Sequence, residues 1–342
     1  MIMLAEQITH PTSAARQLQR SSSKNNDASI QNIPLKHLAA SHSMSRQIIS
    51  IASRLKFRKT LAFLLRSVLS PWLTFRWFRF LGDFTEQHTF APPHDDLVRK
   101  SLSSFLVHRM AWRTRLNILT QHFDLARQLM CPHVLQALWR GEMIELGTIC
   151  GRDHHYRLQL LLSDHCGSRH EGVFTVRLVQ ATDQTLLCMA SFVFVRRPSD
   201  SYSIIIGGLQ GSANADAKRA IISATRDLGG LRPKDAIMLV LKGFAAHSVT
   251  TYLIAVSNST HVINHRASKR RKMKLPDLDA YWLDRGGVPF PPIGFRISVD
   301  PMITGGSGSR RSNAKVAFWK IGANLIIPTS RNRKLHDEKP KF

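Results

Sequence analysis

The chain has 342 residues, 43 % of them hydrophobic, which suffices for one large domain or two ordinary ones and excludes a chain disordered throughout. No run of about 18 uncharged apolar residues occurs, which argues against a transmembrane helix, and four Cys in this length do not make a secreted disulfide framework. The 48 Lys and Arg outweigh the 23 Asp and Glu by +25, a balance that suits polyanions without choosing among nucleic acid, anionic lipid and a phosphorylated ligand.

Residues 1–43 are rich in Ser, Asn, Gln, Ala and His, hold only Glu6 and Asp27 as acids, and show no sustained period, so disorder is expected. No apolar core of a secretory signal follows the start, and Met44 opens a different texture and is a candidate start. Residues 44–104 form a basic, apolar helical segment. Its run Leu61 to Ser70 breaks at Pro71 and resumes as Trp72, Phe75, Arg76, Trp77, Phe78, Arg79 and Phe80. Two readings apply: a helix packed on the main domain with its Arg heads reaching water, or an interfacial helix with Trp and Phe at headgroup level and Arg on phosphates.

Over residues 112–140, Leu116, Leu119, Phe123, Ala126 and Met130 fall on one helical face. A meander follows. Tyr156 to Leu162, Phe174 to Leu178 and Thr185 to Val195 read as strands. Tyr202 to Gly207 is apolar on both faces and therefore central. Gly207, Gly208, Gln210 and Gly211 read as a tight turn. Two helices are expected next, one with Ala217, Ala220, Ile221, Ala224 and Leu228 in a stripe and one opened by Arg232, Pro233 and Lys234. Tyr252 to Val256 is a further buried strand. Residues 304–313 read as a mobile Gly/Ser/Arg loop, and 326–342 as a charged, frayed tail. The fold class is α+β, a helical N-terminal part followed by a mixed, mostly antiparallel sheet with helices.

Each chemical motif has a structural alternative beside it. A strand, glycine turn and helix can offer bare N–H groups and a helix dipole to a phosphate, so Gly207, Gly208, Gln210 and Gly211 are candidate cofactor-binding residues, with Arg232 and Lys234 as phosphate clamps. Neither the dinucleotide fingerprint nor the Walker A spacing is met, and a purely structural turn stands beside this reading. Asn258 to His261 follow a strand, where ligands often sit; His261 is a candidate acid or base, or part of a hydrogen-bonded turn. Glu171, before Gly172, is a candidate acid or equally a turn residue. Cys150, His154, His155, His165, Cys166 and His170 fall within 21 residues, but their spacing matches no zinc pattern, and no metal is expected. Residues 266–274 hold six bases in nine positions; Lys269, Arg270, Arg271 and Lys272, with Arg76 and Arg79, are candidate contacts to an anionic surface. No helix-turn-helix, RNA-recognition or zinc-finger pattern occurs, so no specific nucleic acid is expected.

At these residues the sequence is similar to the VirK/YbjX family of bacterial proteins, defined largely by a domain of unknown function. The matches fall in order over roughly 105–325: Glu171-Gly172, Ile206 to Gly211, Ala224 to Lys234, Val256 to Val262, Asp279 to Gly287, and Ser309 to Ser312. The chain departs from the pattern before Gly286, where Asp284 or Arg285 stands in place of the usual Glu, and towards the end, which is poorer in Arg and Tyr. The resemblance implies a virulence-associated accessory protein at the cell envelope, concerned with display of a surface virulence protein or with lipid A and envelope remodelling. It also implies a cytoplasmic location, peripheral on the inner membrane, with anionic lipid, a lipid A precursor or a surface virulence protein as partner.

The strand order is in addition similar to the core of GNAT-type acyltransferases, where the turn after the central strand holds the pyrophosphate of acyl-coenzyme A. On that analogy the alternative function is an acyl-CoA-dependent acyltransferase, with Gly208 to Gly211 at the pyrophosphate, Arg232 or Lys234 neutralising it, and His261 or Glu171 as base.

Overall fold

A computed structural model describes residues 65, 68, 70–100, 104–197, 201–212, 216–245, 252–265, 277–299 and 308–327. Pro71 at the first turn opens α1 (Pro71–His88), and Leu73, Trp77, Leu81 and Phe84 recur on its buried face. Trp77 sends its indole N–H to the carbonyls of Leu97 and Val98 at 3.2 and 3.0 Å. These ties dock α1 against α2 (Asp95–Val98). The expected helical run over 112–140 is two helices, α3 (Trp112–Leu129) and α4 (Pro132–Trp139). Pro132 cannot donate to the preceding turn, so Met130 and Cys131 are extended and a new helix starts.

An eight-stranded sheet carries the rest. In chain order the strands are β1 (Ile144–Cys150), β2 (His155–Leu162), β3 (Phe174–Gln180), β4 (Leu186–Arg196) and β5 (Tyr202–Gly211), an antiparallel meander. Helices α5 (Ala217–Asp227) and α6 (Pro233–Phe244) then cross over to β6 (Tyr252–Val256), which runs parallel to β5. The helix α7 (Leu278–Leu283), strands β7 (Val288–Phe290) and β8 (Gly294–Ser298) and the helix α8 (Arg310–Leu325) follow. The spatial order is β1-β2-β3-β4-β5-β6-β8-β7, and β5–β6 is the one parallel pair among the described strands. This is the α+β chain with a mixed, mostly antiparallel sheet that the sequence leads one to expect.

Register assigns the two faces. Leu158, Leu178, Cys188 and Gly211 align across four strands, and Phe174, Phe192 and Ile206 across three. Their neighbours Leu160, Leu162, Val176, Ala190 and Phe194 complete a face that is almost wholly buried. The helices pack on it: the His122 ring of α3 lies 4.5 Å from that of Phe174, and Phe244 of α6 lies 5.4 Å from Phe192. The opposite face aligns Thr175, Ser191 and Gly208. Leu73, Trp77, Leu81 and Phe84 of α1 belong to the same hydrophobic core as the sheet.

Two of these expectations need correction, and three strands were not expected. Gly207 to Gly211 are not a turn: they are the second half of β5 and pair with Ser191 to Cys188 of β4. Residues 310–313 are not loop but the first turn of α8, capped by the Ser309 hydroxyl, which accepts from the Ser312 N–H at 3.3 Å. The strands β1, β7 and β8 carry alternating or mixed exposure and were not legible as strands. The basic run 266–274, residues 1–43 and the tail from 328 lie outside the described residues.

Candidate active site

The meander gives way to a crossover at β5, and there the candidate residues meet. Gly207 is the extra residue of a bulge, because Ser191 pairs with Gly208 while Phe192 pairs with Ile206. A bulge turns the strand and re-aims what lies beside it. A side chain at Gly207 would strike the Glu171 carbonyl, and one at Gly208 would strike the Glu171 carboxylate. These glycines are there to admit Glu171, not to make a turn.

A hydroxyl network folds the Glu171 segment onto this face. Thr175 and Ser191, on adjacent strands, bond at 2.7 Å; Ser191 reaches Ser168 at 2.7 Å, and Thr175 donates to Ser163 at 2.9 Å. The Glu171 N–H then donates to the Ser168 carbonyl at 2.8 Å. The Glu171 carboxylate, in a residue only 9 % exposed, accepts from the Gln210 amide at 2.6 and 2.7 Å, one contact to each oxygen. His261 Nε2 stands 3.5 Å from the same carboxylate. Its Nδ1 accepts from the Ile263 N–H at 3.2 Å, which leaves Nε2 to carry the proton towards Glu171.

His261 comes from the turn after β6. There the Ser257 N–H donates to Thr260 Oγ1 at 3.2 Å, and Asn264 donates to the carbonyls of Asn258 and Ser259. A strap before α3 ties both halves together. Leu106 N–H donates to the His170 carbonyl at 2.6 Å, His108 N–H to the Thr260 carbonyl at 2.7 Å, and Val107 forms a bridge with His261. Leu106 and Arg109 in that strap hold φ of 62° and 59°, a left-handed conformation that bulky residues seldom adopt.

The structure therefore unites five sequence candidates, Glu171, His261, Gly207, Gly208 and Gln210. It separates the others. Gly211 lies on the helix-bearing face opposite Cys188. Lys234 sits over the Tyr281 ring at 5.6 Å and Arg232 precedes α6 with no side-chain bond to its first turn, while the next acid, Asp235, accepts from Tyr281 at 2.9 Å and from Arg285 at 2.7 Å. Tyr281 is held well above the usual phenol range, by burial first and the Asp235 carboxylate next. Arg76 stacks on Trp72 at 4.6 Å, and Arg79 pairs with Asp83 at 3.6 Å, both exposed. Lys269, Arg270, Arg271 and Lys272 lie outside the described residues. The loose Cys/His group is split along β2, with Cys150 paired to His155 at one end and His165 and Cys166 past the other. Sequence reasoning missed the strap 104–110, whose positive-φ positions carry no Gly or Asn signal.

This geometry can take up a proton: a carboxylate held by an amide and an imidazole, at the carboxyl ends of parallel strands where ligands settle in mixed sheets. The helix α6 ends beside the start of β5, where Tyr202 donates to the Phe244 carbonyl at 2.6 Å, so its N-terminus lies towards the far end of β5, on the other face of the sheet from Glu171.

A family model described as "Protein of unknown function (DUF535)" matches residues 53–301. The "Uncharacterized protein YbjX" of Escherichia coli (strain K12) is 25 % identical over 228 residues, covering 66 % of this chain and 68 % of that protein. No solved structure matches the chain.

Proposed function

The chain belongs to the DUF535 family, the VirK/YbjX group expected from its motifs, and from that premise we propose that it is an acyltransferase with Glu171 as the proton acceptor. The observation that carries this reading is the buried Glu171–Gln210–His261 cluster beside the one parallel pair of the described sheet. The order of meander, central strand, helices and parallel strand supports the GNAT-type analogy, and acyl-coenzyme A is the donor it suggests.

In the proposed reaction a hydroxyl or amine of the acceptor attacks the thioester carbonyl. The new C–O or C–N bond forms, the C–S bond breaks, Glu171 takes the acceptor's proton, and the thiolate leaves as the free thiol after protonation. Gln210 fixes the carboxylate, and His261 Nε2 stands 3.5 Å from it, on the side where the acceptor's proton would arrive. The test is turnover and thermal shift with acyl-coenzyme A. Glu171→Gln keeps the shape and is expected to lower thiol release about 100-fold or more while leaving donor-induced stabilisation in place. No stabilisation of the wild type at millimolar donor overturns the reading.

A second observation favours an accessory or membrane-surface role, in line with the envelope functions the resemblance implies. Leu65, Val68 and Trp72 are 57, 74 and 49 % exposed, and Trp72 packs edge-on against Trp112 with Arg76 and Arg113 over the two rings. Among the described residues no helix is long and apolar enough to cross a membrane. Apolar rings flanked by guanidinium groups suit an anionic lipid surface. Retention by anionic over neutral liposomes, lost in Trp72→Ser, is expected; equal retention by both removes this reading.

A further inference from the structure

Two donor atoms from the start of α2 and one from the 3₁₀ turn Ser163–Cys166 converge. His94 Nδ1 lies 3.6 Å and His165 Nε2 3.4 Å from the same oxygen of Asp96, Oδ2. All three atoms are within 4.8 Å of one another. Neighbouring ligands of a tetrahedral ion with bonds of about 2.0–2.2 Å stand about 3.3–3.6 Å apart. We propose that His94, Asp96 and His165 form a binding site for a divalent transition metal, zinc by its donor set, with at least one position left to water.

The surroundings hold the donors in place. Arg99 pairs with the other Asp96 oxygen, Oδ1, and leaves Oδ2 facing the two imidazoles. The His94 backbone N–H donates to the Trp139 carbonyl at 2.9 Å. Its ring is backed by Gly141, where a side chain would come within 2.7 Å of the ring Cδ2. The two imidazoles meet edge-on, with centroids 5.1 Å apart at 82°. The side chains of His94, Asp96 and His165 are 36, 18 and 30 % exposed, so an ion has an entry path and room for water. His94 Nδ1 also accepts the Asp96 N–H at 3.3 Å, a long bond that an ion would displace. Two histidines and a carboxylate with open positions are the set found in hydrolytic zinc sites and in non-haem iron sites. The proposal does not rest on the acyl-transfer reading.

The test uses the full chain after chelator treatment, titrated with zinc by calorimetry and with cobalt(II) by absorption. One ion per chain is expected, with no thiolate charge-transfer band. Affinity should fall about tenfold or more in Asp96→Asn and His165→Gln, and Cys166→Ser should bind like the wild type. Melting of each variant without metal checks the fold, and His94→Gln supplies a second ligand variant. Absence of saturable uptake, uptake equal in all ligand variants, or a thiolate band overturns the proposal.

Discussion

His122 shows how one buried side chain sets a pH limit. Its Nδ1 accepts the Phe194 backbone N–H at 3.0 Å, and its ring stacks on Phe194 and meets Phe174 edge-on. Burial, aided by the nearby Lys100 charge, pushes it down to about 3 from 6.5. Between those values the unfolded chain binds a proton that the folded chain refuses. Its contribution to stability is therefore present above 6.5 and lost as pH falls towards about 3. His122→Phe should flatten the acid limb of the stability curve by about 1.4 kcal/mol per pH unit, at a cost near neutrality of about 1–3 kcal/mol for the orphaned Phe194 N–H. Chemical denaturation across pH 4–7 measures both, and an unchanged acid limb refutes the assignment. Gly208 offers a second residue-level test. Gly208→Ala places a methyl against the Glu171 carboxylate, which should cost about 1–3 kcal/mol. Adding Glu171→Ala should return part of that loss, a coupling of about 0.5 kcal/mol or more. Strict additivity would show that the clash lies elsewhere.

At the scale of elements, α6 and α8 approach with their backbones in contact. A side chain at Gly243 would lie 2.8 Å from the Ala323 N and 2.9 Å from the Gly322 Cα. Phe318, fully buried, and Ala323 fill the rest of that seam. Gly243→Val should destabilise by about 3 kcal/mol through overpacking and added β-branching; a melting temperature equal to that of the wild type would show that the helices can separate freely. The Ala- and Gly-rich seam also accounts for the lack of a clear apolar stripe over α8 in the sequence. Close helix approach uses small residues, and small residues leave little amphipathic pattern to read. The strands β7 and β8 leave little sequence signal for a related reason. Three and five residues are too few for an alternation to stand out, and β7 carries Pro289 at the sheet's end.

For the whole molecule, the helices before residue 105 are part of the core. Trp77 and Phe84 pack on Phe123 of α3, and Phe84 on Trp139 of α4, with ring centroids 5.0–6.3 Å apart. A fragment starting at residue 105 would expose that aromatic surface and is expected to lose cooperative unfolding, whereas one starting at residue 65 should keep it. Calorimetry of the two fragments decides, and a sharp transition in the shorter one would make α1 dispensable. The charge of +25 acts at the same scale. On the proposed membrane-surface role, retention on anionic liposomes should weaken as salt shortens the screening length.

The sequence by itself determined the α+β class, the antiparallel meander, the helix pair of the crossover and the family, because long periodic segments and ordered motifs need no tertiary context. Glu171 and His261 were legible as chemistry-bearing residues beside strand ends. Only the tertiary structure decided that they meet. The bulge at Gly207 and the gap at Gly208 bring Glu171 onto β5, Gln210 reaches it because alternation puts both on one face, and the strap fastens His261 opposite. The same holds for His165, which no spacing rule joins to His94 and Asp96. Local periodicity reports which way each residue faces; it carries no information on which distant residue faces back.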